Sequence, residues 1–174
     1  MCHFVTLVAP TEDIAAMRAV MLNHSREAQR IDGRSLARVL RPDERQYLTC
    51  RAGCDCGTAL ATCEPANEAD EAREAVKLAR KGWSPARIDR VLADRRKARA
   101  RPTRGSDSLE FWARVMSDLR GKLGLSHVGL FLHDYRGSVI DETFEAVRVD
   151  APAGLPPTEA LATMGEDRLM IFRA

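Results

Sequence analysis

The chain has 174 residues, 45% of them apolar but only 5% aromatic, and its 27 basic and 25 acidic side chains leave a formal net charge of +2. That length suits one domain with one core, and the near-balanced charge describes a mixed, water-facing surface and excludes a polyelectrolyte. No segment approaches the ~20 consecutive apolar residues that a membrane-spanning helix needs.

The short apolar run at residues 4–8 lacks a basic leader, so no signal peptide is expected. The cytoplasm, with reduced thiols, is the expected compartment. The odd cysteine count, five, agrees, because a secreted disulfide framework normally pairs all its members.

In chain order, residues 2–8 read as a buried strand bounded by Pro10. Thr11 is placed to cap a helix with Glu12 and Asp13 in its first turn and Gly33 as its stop. Ile14, Met17, Met21, His24 and Ala28 recur at steps of three and four and define its inner face. Residues 35–40 suit a strand or a helix and 46–49 a strand, separated by the turn signal Arg41-Pro42-Asp43-Glu44.

Helical signals then run from 67 to 121 and imply three helices. The first carries the small residues Ala69, Ala72, Val76 and Ala79 ahead of Trp83. The second opens on Ser84 as cap with Pro85 at its first position. The third begins at Asp107 with Glu110 three residues on, buries Leu109, Trp112, Met116, Leu119 and Leu123, and closes at Gly121 and Gly124. Residues 127–133 and 139–149 flank a turn-prone stretch and read as a hairpin. A proline-rich stretch at 152–157 leads to a final strand at 169–172. The expected fold is α+β: a small mixed or antiparallel sheet formed by the N-terminal and C-terminal strands, packed against about four helices. It is a single domain, 1–174, with the helical segment 67–123 between its β-forming ends.

Chemistry concentrates in Cys50-Arg51-Ala52-Gly53-Cys54-Asp55-Cys56, three thiols within seven residues, with Cys63 seven further on. Thiolates packed this closely repel one another when ionised and oxidise when neutral, so the motif calls for a metal, a disulfide or a redox task. Gly53 and Gly57 let the backbone fold round a small centre and aim amide hydrogens at sulfur. Structural zinc takes four sulfur or nitrogen ligands. Cys50, Cys54 and Cys56 supply three, and the fourth is Cys2 or Cys63, chosen from a field that also includes His3, His24 and His133. Cys2 and His3 point to opposite faces of a regular strand, so at most one of them reaches the ion. An iron–sulfur cluster also fits three thiols from one loop plus a fourth, and ranks behind zinc. The spacing departs from the familiar zinc frameworks, in which paired cysteines recur further along the chain.

Two enzymatic readings compete. Cys2, exposed by loss of the initiator methionine, would be a nucleophile with its own α-amine as base. Alternatively Cys54 or Cys56 would be a redox thiol activated by Arg51. His133 and Asp134 are adjacent on a strand and point apart, so they form no dyad with each other. Finally, Arg95, Arg96, Lys97, Arg99 and Arg101 make the densest positive run and could grip phosphates. Without interleaved aromatics, and with acidic residues at 64–74 to balance them, a solvated, charge-paired surface is the plainer reading. The expectation is a cytoplasmic zinc-binding protein with a binding or regulatory role, its partner a protein sooner than a nucleic acid and not a membrane. A thiol-dependent enzyme and a nucleic-acid binder are the alternatives.

Overall fold

A computed structural model describes residues 2–49, 54–55, 57–62, 72, 75–76, 78–80, 82–100 and 107–173, with backbone alone for 62 and 94–100. The fold is α+β. Six strands, β1 (Cys2–Ala9), β2 (Gln29–Ile31), β3 (Arg45–Leu48), β4 (His127–Tyr135), β5 (Val147–Asp150) and β6 (Arg168–Arg173), form one sheet in the order β2-β3-β1-β4-β6-β5. All pairings are antiparallel except β5 with β6, so the sheet is mixed. Both terminal strands lie in it, with β4 between them. The α-helices with described bounds are α1 (Ile14–Leu22), α2 (Arg34–Ala37), α3 (Pro85–Ala100), α4 (Leu109–Leu123) and α5 (Pro157–Ala162); a 3₁₀ turn lies at Ala59–Thr62, and described residues between 72 and 80 are helical as well. None is long and apolar enough to cross a membrane.

Strand alternation divides the core in two. Val5, Leu7 and Ala9 of β1, Val128, Leu130 and Leu132 of β4, and Met170 and Phe172 of β6 face the helices, where Met17 and Met21 of α1 and Phe111, Trp112, Val115, Met116 and Leu119 of α4 meet them. The opposite face buries Val8, Phe131, Leu169 and Ile171 under Leu36 of α2 and Phe144. Gly129 makes that second layer possible. A Cβ there would lie 2.9 Å from the Cδ1 atoms of Leu169 and Ile171 and 3.1 Å from Cβ of Val8. A small third cluster, Leu78, Ile88 and Leu92 with Trp83 against it, stands apart from both.

Several boundaries differ from the sequence expectation for identifiable reasons. α1 starts two residues later than Thr11 suggests, because Asp13 accepts the Ala16 amide hydrogen at 2.9 Å and is the cap. It ends at Leu22, far short of Gly33: Ser25 takes a left-handed φ of 54° and the Arg26 amide bonds back to Met21 O at 3.1 Å, which turns Arg26 into the core. Gly33 instead precedes α2, and residues 34–37 are helical. Of the helix expected at 69–79, the described residues 72, 75, 76, 78 and 79 are helical and the rest lie outside the described set. α3 begins at Pro85 as expected, while α4 is capped by Ser108, one residue after Asp107, and closed by Gly124 at φ 62°.

The hairpin expected at 127–149 is a correction. Residues 139–146 are not a strand. Ser35 Oγ donates to Glu142 O at 3.0 Å and accepts the Phe144 amide at 2.9 Å, so the segment is strapped across the second face, with Phe144 stacked on Phe131. Only Val147–Asp150 forms a strand, and it joins β6 in parallel at the sheet edge.

Candidate functional site

Thr49, just after β3, and Asp55 are both bonded to the first half of β1. Thr49 N donates to Val5 O at 3.2 Å, Asp55 N donates to His3 O at 2.7 Å, and Asp55 Oδ2 accepts the Val5 amide at 2.8 Å. Thr49 and Asp55 are thus two feet planted on one strand, on either side of Cys50 and Cys54 in the sequence. Arg26, 2% exposed, ties the feet together: its Nη1 donates to Thr49 O and to Asp55 Oδ1, each at 2.6 Å. Its Nη2 pairs with Asp107 at 3.0 Å, and the guanidinium lies 4.4 Å from the Trp112 ring. A buried cation is costly unless paired and hydrogen-bonded; Nη1 and Nη2 meet both conditions, while Nε has no partner among the described residues. Burial pushes the Asp55 carboxyl above its ordinary range, against the pull of the Val5 amide and Arg26. Downstream, Trp112 Nε1 donates to Thr58 Oγ1 at 2.8 Å and Ala59 N to Asp107 O at 3.0 Å, docking residues 58–59 on the start of α4.

Of the five expected ligands, Cys2 and Cys54 are described, and Cys50, Cys56 and Cys63 lie outside the described residues. Cys54 is exposed and sits within electrostatic reach of His3. His3 Nε2 bonds to Glu166 Oε1 at 2.7 Å. That bond, with further contributions from Asp134 and Cys54, holds His3 above the usual imidazole range, and the same contact holds Glu166 below the carboxylate range. A carboxylate on one ring nitrogen fixes the ring's orientation and raises the basicity of the other, an arrangement common behind metal-binding histidines. Cys2 is next along β1 and faces the opposite way, across from Tyr135. Among the described residues no three His, Cys, Asp or Glu side chains converge as a metal would require.

The face that Cys2 shares contains a second constellation that sequence reasoning did not assemble. His133 Nδ1 bonds to Asp167 Oδ1 at 2.5 Å, while Nε2 is buried, has no hydrogen-bond partner among the described residues and stands 3.6 Å from Glu142 Oε1. Phe144 stacks on the ring at 3.9 Å and Tyr135 meets it edge-on at 4.4 Å. Burial lifts the Tyr135 hydroxyl to about 12. Asp167 holds a left-handed φ of 61°, with its amide bonded to Leu132 O at 3.0 Å. Adjacent residues thus serve opposite faces of the sheet, Glu166 reaching His3 and Asp167 reaching His133. The only sequence signal was a pair of acids just ahead of a strand.

The other two histidines each have a carboxylate partner. His127 Nε2 bonds to buried Glu44 at 2.6 Å, and Arg148 grips both Glu44 oxygens at 2.7 Å. His24 Nε2 bonds to Asp118 at 3.0 Å. Arg95, Arg96, Lys97 and Arg99 fall in the last turns of α3 with side chains outside the described set, and Arg101 lies outside it altogether. Set beside known proteins, the chain matches no family model, no curated protein and no solved structure.

Proposed function

We propose that the chain is a small zinc-binding protein of the cytoplasm in which Cys50, Cys54 and Cys56 supply three ligands, and that it serves in binding or regulating another macromolecule. The observation that supports this reading is the attachment of Thr49 and Asp55 to β1 under the Arg26 clamp. Fixing Thr49 and Asp55 on one strand lowers the ordering cost of closing a four-ligand site between them. The fourth donor comes from Cys2, Cys63 or His3. His3 gains weight from its Glu166 contact and its nearness to Cys54.

The experiment is metal analysis and thiol titration on protein purified without chelator. The expected result is about one zinc per chain with the cluster thiols protected until a chelator is added. Cys54→Ser should cut the metal content severely, and His3→Ala, Cys2→Ser and Cys63→Ser identify the fourth ligand by which one does the same. Iron with visible absorption would replace zinc by a cluster. Metal-free protein with freely reacting thiols overturns the reading.

A second reading, thiol-dependent catalysis at Cys2, has one specific observation in its favour. In the β1–β4 register Cys2 is opposite Tyr135 and Phe4 opposite His133, so thiol and imidazole are diagonal neighbours on one face, roughly 7–8 Å apart at Cα. Asp167 on Nδ1 leaves Nε2 as the nitrogen that would take a proton. On this reading the rate of alkylation of Cys2 by iodoacetamide at neutral pH falls at least tenfold in His133→Gln. Equal rates in the two proteins remove it.

A further inference from the structure

Away from both constellations, α4, β6 and the chain after β5 enclose a cavity of about 540 Å³, within the range of small-molecule sites. Its floor is apolar and buried, made by Met116, Ala160 and Phe172, and Leu155 adds exposed apolar surface at the rim. Three charged groups line it: Arg120, Arg173 and Asp150. Two of them neutralise each other, because Arg173 Nη2 and Nε both donate to Asp150 Oδ1, at 2.9 and 3.1 Å. Arg120 has no carboxylate partner among the described residues, and its Nε is shut off from solvent without any hydrogen-bond acceptor. Arg120 therefore leaves the cavity lining with one guanidinium charge that no carboxylate among the described residues neutralises.

We propose that the cavity binds a small organic acid, its carboxylate held by Arg120 and its hydrocarbon body lying on Met116, Ala160 and Phe172. The charge balance selects a monoanion, since one cation is left over after Arg173 and Asp150 pair. The planar fork of a guanidinium matches a carboxylate in two parallel hydrogen bonds. The apolar floor rewards a hydrocarbon body and gives nothing to a bare inorganic ion. This site is independent of the zinc reading, and neither depends on the other.

The test uses hexanoate and benzoate as probes, with hexanol and inorganic phosphate as controls, followed by NMR on the intact chain. Saturable shifts are expected at the Met116 and Ala160 methyls and at the Arg120 Nε–H signal, with hexanoate binding at least tenfold tighter than hexanol or phosphate. Arg120→Gln should weaken hexanoate at least tenfold and leave hexanol unchanged. Arg120→Lys, which keeps the charge and loses the fork, should fall between. The proposal is overturned if hexanol binds as well as hexanoate, if phosphate binds as well as hexanoate, if Arg120→Gln leaves hexanoate affinity unchanged, or if neither acid shifts these signals up to tens of millimolar.

Discussion

Arg26 is the side chain that ties Thr49, Asp55 and Asp107 together. Its guanidinium is withdrawn from water, so its removal leaves Asp55, 4% exposed, with a carboxylate that has lost its cation. Breaking one side of a buried pair costs about 3–5 kcal/mol. Arg26→Met should therefore lower the unfolding free energy by about that amount in urea titrations. It should also raise the iodoacetamide reactivity of Cys54, because the two feet of the loop are no longer tied. Lysine at 26 would not rescue the wild type, since one ammonium cannot reproduce contacts to Thr49 O, Asp55 and Asp107 from two nitrogens. None of this is visible in the sequence around Arg26, whose partners come from the end of β3, the cysteine segment and the cap region of α4. The cysteine spacing can be read directly off the chain, whereas Cys50, Cys56 and Cys63 lie outside the described residues. The pairing of His133 with Asp167 cannot be read that way, because it depends on which strand lies beside β4.

At the level of elements, local chemistry predicted well wherever one residue decides the backbone. Pro85 opens α3 and Gly124 closes α4 in a left-handed conformation, as their side chains, or lack of one, require. Segment 139–146 was misread because apolar alternation fits a paired strand and a strap across a sheet face equally, and only Ser35, more than a hundred positions away, distinguishes them. β4 shows the same dependence on partners. Gly129 looks like a weak point in a strand, yet it is where Val8, Leu169 and Ile171 close over the sheet. Gly129→Ala must displace the stiff β-branched Val8 as well as two flexible methyl groups, so a loss of about 1–3 kcal/mol is expected by chemical denaturation. A stability equal to or above wild type would mean that the second layer has room to spare.

Across the whole molecule, Glu44 joins parts of the chain that are distant in sequence: His127 on β4, Arg148 on β5 and the Arg41 amide. Burial opposes ionisation of Glu44, but the Arg148, Arg41 and His127 hydrogen bonds outweigh it and hold the carboxyl down at about 2. An unfolded chain takes up that proton near the ordinary 4.5, so the contribution is complete above that pH and disappears as pH falls towards 2. The drop amounts to about 3 kcal/mol. Urea midpoints should stay level above pH 5 and decline below it, whereas Glu44→Gln should start lower and decline less. A profile shared by both proteins would assign acid sensitivity to other carboxylates.

The register of β1 carries a consequence for how the chain is made. On one flank it meets β3, so the β2-β3-β1 half of the sheet can assemble as soon as residue 48 has emerged from the ribosome. On the other it must wait for β4, with Cys2 finding Tyr135 only after the chain has grown from residue 48 to residue 135. Throughout that interval the far edge of β1, among the most apolar backbone in the molecule, stands open to any passing strand. Newborn chains should need a holding chaperone until Tyr135 arrives, and slowing translation between the two halves should raise the aggregated fraction.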